Sequence, residues 1–212
     1  NRIAYDDNEL LLMVIATGPG DLFTVEPIYT LDDIQGMQIR ATGLSATTIE
    51  ALGGTPVAMA QSEAYEALSK GVVEGNLSPV EVLKGWNHAE VTDYLTLTPF
   101  LYNTLFFVTM NLDTWDSIPE DLQQVILDTT AEFYEEVGIG LWDSQNEAAL
   151  DWAVNEQGIE VIELSDEEAQ IWIDKVMPIQ DDFTMRMHEL GIEEDILAVV
   201  NELADQYNEE YK

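Results

Sequence analysis

The chain has 212 residues, 46% of them apolar, with 42 acidic side chains against seven Lys plus Arg and a formal net charge of −35. That charge excludes nucleic acid as a partner, because phosphate binding needs clustered Lys and Arg, and it disfavours an anionic membrane surface. Cysteine is absent, which removes disulfides, thiolate metal sites and cysteine nucleophiles.

The acidic residues are spread along the chain rather than gathered in a tail. This reads as a solvated acidic surface of a halophilic kind, where salt screens self-repulsion, with an ordinary acidic protein as the alternative. No apolar run reaches the roughly 18 residues of a bilayer span, so direct membrane insertion is not expected. The opening segment, NRIAYDDNELLLMVIATGPGD, has no signal-peptide pattern and reads as mid-protein sequence.

Residues 10–16, LLLMVIA, have the length of a strand, ended by the turn residues TGPGD. TLDDIQG (30–36) predicts a short helical turn capped by Thr30 and ended by Gly36. MQIRA (37–41) alternates as a strand does. SATTIEALGG (45–54) predicts a helix stopped at Gly53 and Gly54, and TPVAM (55–59) a strand. Ser62 is expected to cap the next helix, which stops at Gly71, and VVEGNL (72–77) reads as a strand. Ser78 at N-cap and Pro79 at the first helical position open SPVEVLKG. YLTLTP (94–99) and NTLFFVTMN (103–111) read as strands.

Residues 117–158 carry the longest helical pattern, with Pro119 in its first turn, a bend expected at Gly138 and Gly140, and Gly158 as its close. IEVIEL (159–164) is the last strand, and Ser165 with Glu168 has the form of a capping box for the next helix. Pro178 is expected to kink or break that helix. Residues 193–211 form a terminal amphipathic helix. Alternating strands and helices predict an α/β chain with largely parallel pairing.

There is no nucleophile elbow, P-loop, dinucleotide fingerprint or zinc-protease motif, and nothing calls for a cofactor or a metal. The acidic pairs Asp6–Asp7 and Asp181–Asp182 lack calcium-loop spacing. His88 and His188 sit in no motif and read as surface helix residues. Phe106 and Phe107 are expected in the core, whereas Tyr102 and Asn103 can line a cleft. Arg40 is one of three arginines and follows the apolar strand positions Met37 and Ile39. Ligands of open α/β sheets lie at strand C-termini, and a guanidinium there can take a carboxylate through two parallel hydrogen bonds. The competing reading is a salt bridge to one of the many nearby acids.

Three blocks in order, TLDDIQGMQIRATG, LGGTPVAMAQSEAYEALSKGVVEGNLSPVEVL and FFVTMNLDTWDSIPEDLQQVILDTTAEF, resemble the DctP-type solute-binding proteins of TRAP (tripartite ATP-independent periplasmic) transporters. The resemblance runs from about residue 15 to the C-terminus. It implies a two-lobed periplasmic-binding-protein-like (type II) α/β architecture with a long inter-lobe helix. It also implies that the family's opening portion, much of lobe I, is missing here. Residues 1–17 and 104–143 would then be the remainder of lobe I, and 18–103 with 144–212 lobe II.

The family's carboxylate-binding arginine falls at Arg40, and Ser78 of EGNLSP stands where the family has asparagine; a serine hydroxyl there can still donate to a carboxylate. Gln61 replaces a cleft aromatic of sialic-acid-binding relatives, and the extra arginine of those relatives is lacking near Gly20 and Asp21, so a sialic acid ligand is not expected. Trp86, Tyr102, Asn103 and Thr104 fall where relatives vary their ligand contacts. The function implied is an extracytoplasmic, periplasmic binding component, not an enzyme, that delivers a small organic acid to membrane permease subunits. A ligand-sensing module on the same scaffold and, further off, an acidic α/β enzyme are the alternatives.

Overall fold

The computed structural model describes residues 8–134 and 139–210; Asp6–Asp7 and Gly138 lie outside the described residues. Among the described residues the strands form two sheets. β1 (Glu9–Ala16) pairs antiparallel with β7 (Leu105–Asn111) in one, and the other holds six strands in the order β4-β3-β5-β2-β6-β8.

The six-stranded sheet is the core of the molecule. β3 (Gln38–Arg40) runs parallel to β4 (Thr55–Val57) and to β5 (Gly75–Pro79), and β6 (Tyr94–Leu97) runs parallel to β8 (Glu160–Glu163). Between them β2 (Gly20–Thr24) is antiparallel to both β5 and β6. Largely parallel pairing is therefore found only within the six-stranded sheet away from β2, a strand the sequence reading did not identify; with β1–β7 also antiparallel, half of the described pairings depart from that expectation. Every residue of β2 is buried, so its pattern is the continuous burial of a central strand and shows no alternation in polarity. The alternation is in direction: Leu22 enters one apolar cluster, with Ile39, Ile49, Leu77 and Trp172, and Phe23 enters the other, with Leu83, Leu95 and Ile159.

Helices cover both faces. α1 (Leu44–Leu52) and α7 (Asp166–Val176) pack on the first, and α3 (Glu81–Gly85) with α6 (Ile139–Trp152) on the second. α1 stops as expected: Gly53 takes φ 94, a left-handed conformation open to glycine, and its N–H returns to Glu50 O. α7 ends at Val176 and α8 (Pro178–Glu189) begins with Pro178, so the proline breaks the helix. α9 (Ile196–Glu210) closes the described chain.

Several expectations are corrected. Residues 31–36 form turns, not helix; the Asp33 carboxylate, rather than Thr30, accepts from the N–H groups of Tyr29 and Thr30. α2 (Gln61–Ser69) begins one residue before Ser62, with Ala60 at N-cap and Glu63 reaching back to the Ala60 N–H at 2.9 Å. Ser78 belongs to β5, since its backbone pairs with Asp21 of β2, and Val80 is the N-cap of α3.

The 117–158 pattern is helical over Glu120–Phe133 and from Ile139 to Gln157, and the bend expected at Gly138 falls outside the described residues. α4 (Leu112–Asp116) ends at Ser117, α5 (Glu120–Phe133) starts after Pro119, and α6 passes into a π-helical turn closed by Gly158 at φ 79. Gly140 lies inside α6. Ser165 caps α7 by accepting from the Glu168 N–H, but the Glu168 carboxylate turns instead to the Trp172 indole N–H and the Leu31 N–H, making only half a capping box. Phe106 and Phe107, 52% and 47% exposed, are not core residues. They stand on opposite faces of β7, and β1 pairs only with its edge.

Candidate functional site

Arg40 ends β3, where the strand delivers its side chain beyond the sheet edge. It is only 9% exposed. Nε and Nη2 both donate to the Met59 carbonyl oxygen, at 3.2 and 3.1 Å. One edge of the guanidinium is thus pinned to the backbone, and the Nη1–Nη2 fork is left without an acceptor among the described residues. No carboxylate among them pairs with it. The reading of Arg40 as a partner of a local acid therefore finds no support. Burial alone pulls its pKa below the usual arginine value. A buried cation with no internal counter-ion is costly, and a carboxylate on the open fork would offset that cost.

The guanidinium faces a cleft of about 1010 Å³. All seven residues singled out from sequence, Arg40, Gln61, Ser78, Trp86, Tyr102, Asn103 and Thr104, line it. Gln61 is the first residue of α2 and Trp86, 47% exposed, follows α3. Tyr102, Asn103 and Thr104 sit on the crossing from β6 to β7. That crossing is tied to the one from β1 to β2: Tyr102 O accepts from Gly20 N–H at 2.9 Å, Thr104 O accepts from Thr17 N–H at 3.0 Å, and Asn103 Nδ2 reaches Thr17 O at 3.5 Å. The close approach needs glycine, since a Cβ on Gly20 would meet the Tyr102 ring at 2.2 Å.

Two residues behind the cleft were not found from sequence. His88 was expected on a surface helix. It is fully buried in a short 3₁₀ turn, His88–Glu90, whereas His188 is exposed on α8. His88 Nδ1 lies 3.1 Å from Asn76 Nδ2, and its Nε2 lies 3.5 Å from Gln61 Nε2. Burial, then the nearby Arg40 charge, lowers the His88 pKa to about 4, so it is neutral near pH 7. Asn76, also fully buried, places Oδ1 3.2 Å from Ser78 Oγ, which reaches Gln61 Oε1 at 3.5 Å. Asn76 and Ser78 are two apart on one strand and so share a face. Reading VVEGNLSP as one strand would have paired them; the Ser-Pro step hid this by resembling a helix start.

One acid also lines the cleft. Glu81 Oε2 is buried with no hydrogen-bond partner among the described residues, and burial raises its pKa. Those residues include no cluster of three or more His, Cys, Asp or Glu fit to hold a metal ion, and no helix long and apolar enough to cross a membrane.

Residues 9–186 match the family model of the bacterial extracellular solute-binding proteins, family 7 (DctP). The C4-dicarboxylate-binding periplasmic protein DctP of Rhodobacter capsulatus is 29% identical over 163 residues, covering 76% of this chain and 48% of that protein. The chain thus spans about half the length of that curated relative. A solved TRAP periplasmic solute-binding protein from Desulfovibrio salexigens has a TM-score of 0.77 at 35% identity, covering 93% of this chain and 61% of that one. Another, from Pseudomonas putida F1 with bound D-glucuronate, has a TM-score of 0.77 at 26% identity, covering 88% and 60%. The mixed α/β fold is therefore that of TRAP periplasmic binding proteins.

Proposed function

Because the chain belongs to the DctP family of bacterial extracellular solute-binding proteins, family 7, we propose that it captures a small organic acid outside the cytoplasmic membrane and passes it to the membrane permease of a TRAP transporter. The observation that carries this is Arg40, a buried guanidinium whose fork opens into the cleft with no counter-ion among the described residues.

In this reading the ligand carboxylate docks end-on across Nη1 and Nη2. Each charge-assisted hydrogen bond is worth about 1.5–3 kcal/mol net, against about 8 kcal/mol for a micromolar complex. Apolar contact with Trp86 and Tyr102 supplies much of the remainder, and Gln61, Ser78, Asn103 and Thr104 set orientation. Residues 1–17 and 104–143 act as one lobe, and residues 18–103 and 144–212 as the other. The chain crossings at 17–19 and 98–104 serve as hinges, and closure buries the ligand and changes the surface offered to the permease. The role is binding and release, without turnover.

Calorimetry on the full-length protein tests it. Arg40→Ala is expected to weaken carboxylate binding by about a hundredfold or more while leaving the circular dichroism unchanged. Unchanged affinity would remove Arg40 from the site.

A further inference from the structure

Gln61, Ser78, Asn76 and His88 form a closed ring of four side chains, with successive contacts of 3.5, 3.2, 3.1 and 3.5 Å. Gln61 and Ser78 face the cleft, while Asn76 and His88 are fully buried behind them. Protons decide what such a ring can offer a ligand. As placed, both amide NH2 groups face a His88 nitrogen and both amide oxygens face Ser78 Oγ. A neutral imidazole accepts at one nitrogen and donates at the other, and a serine hydroxyl has one hydrogen. One amide therefore meets an N–H with its own N–H, and one oxygen meets a hydroxyl with no hydrogen left to give.

Turning either amide by 180° repairs both faults at once. With Gln61 turned, Asn76 donates to His88 Nδ1, His88 Nε2 donates to Gln61, Gln61 donates to Ser78, and Ser78 donates to Asn76. With Asn76 turned, the same ring runs in the opposite sense.

In either sense Ser78 spends its only hydrogen inside the ring and keeps one oxygen lone pair for the cleft. Pointing that hydrogen at a ligand while keeping four links requires both amides to donate to Ser78 and both His88 nitrogens to donate to the amides. That state is an imidazolium, which burial and the Arg40 charge oppose. In such a ring Ser78 acts as an acceptor toward the ligand, a different role from the carboxylate donor read from the sequence. Glu81 Oε2, buried in the same cleft wall without a partner among the described residues, adds a second acceptor.

We infer that the cleft selects an acid bearing a hydroxyl beside its carboxylate, the hydroxyl donating to Ser78, so that hydroxy acids bind in preference to the matching acids without the hydroxyl. The inference rests on the reading that Arg40 holds the carboxylate. Asn76 and His88 act as positioning residues that hold Ser78 in its accepting state.

Matched pairs test it by calorimetry on the full-length protein near neutral pH: both enantiomers of lactate against propionate, both of mandelate against phenylacetate, and both of malate against succinate. In the pairs that bind, one hydroxy enantiomer is expected to bind about tenfold tighter or more than its partner. Ser78→Ala is expected to abolish that preference, weakening the hydroxy enantiomer about tenfold more than the deoxy acid. Equal or tighter binding of the deoxy member overturns the inference and leaves the Arg40 reading standing. Equal weakening of both members by Ser78→Ala does the same, since it marks Ser78 as a carboxylate donor. Binding by none of the acids overturns both. Should Ser78→Ala fail to fold, the pair comparison on the unaltered protein decides.

Discussion

Burial pushes the Asp21 carboxyl from an ordinary 3.8 up to about 6, although the Thr98 N–H donates to its Oδ1 at 2.6 Å and pulls the other way. Between those two values the folded chain holds a proton that the unfolded chain has released, so this group makes stability fall as pH rises. His88, lowered from 6.5 to about 4, works in the opposite sense. The unfolded chain binds a proton that the folded chain refuses, and stability is gained as pH rises through that window. Each effect is worth about 3 kcal/mol at its limit, and they offset each other between about pH 4 and 6. Asp21→Asn keeps the acceptor for Thr98 and removes the titration. Urea unfolding is expected to show this variant gaining up to about 3 kcal/mol on the parent between about pH 4 and pH 7. A difference that stays flat across that range would show that Asp21 titrates normally.

At the scale of elements, α7 is joined to the sheet by one side chain more than any other. Trp172 is fully buried among Ile39, Ile49 and Leu77, and its indole N–H donates to Glu168 at 2.9 Å. The same Glu168 oxygen accepts from the Leu31 N–H, so helix, indole and the 31–36 turns meet at one carboxylate. Trp172→Ala is expected to cost about 3–5 kcal/mol by leaving a cavity. Trp172→Phe keeps most of the packing and is expected to cost about 1–3 kcal/mol for the unmade hydrogen bond. Denaturant midpoints check both: a Trp172→Phe loss near zero would mean that the indole N–H contributes nothing, and equal losses would mean that the ring's packing adds nothing beyond it. The Ser165–Glu168 pattern was legible as a helix start. That the glutamate would leave its box for an indole was not, because Leu31 and Trp172 approach it only after the sheet has formed.

For the whole molecule the dominant quantity is a net charge of −35. One ion pair among the described residues, Lys70–Glu66 within one helix turn, is exposed on both sides and contributes little. Salt therefore acts mainly by screening repulsion between carboxylates. Going from about 0.1 M to about 1 M KCl shortens the Debye length from about 10 Å to about 3 Å and is expected to raise Tm by about 2–8 °C, the equivalent of roughly 1–2 kcal/mol. A lower Tm in high salt would mean that attractive pairs outweigh the repulsion.

The residues by themselves determined the strands flanking Arg40 and the glycine and proline stops at Gly53, Gly158 and Pro178, because spacing, caps and breakers act over a few positions along the chain; of the cleft side chains, Gln61, Ser78, Trp86 and Thr104 were legible only through the family resemblance. They did not determine β2, whose uniformly buried GDLFT has no polarity alternation until neighbours cover both its faces. They also did not determine where His88 goes, since a lone histidine carries no local signal. Only the tertiary structure decided that Arg40 finds a carbonyl rather than an acid, and that Asn76 and His88 close a ring behind Gln61 and Ser78. Those outcomes depend on which groups burial brings within hydrogen-bond reach, and residues 40, 61, 76, 78 and 88 become neighbours only when the β3–β5 pairing and the turn after α3 are in place.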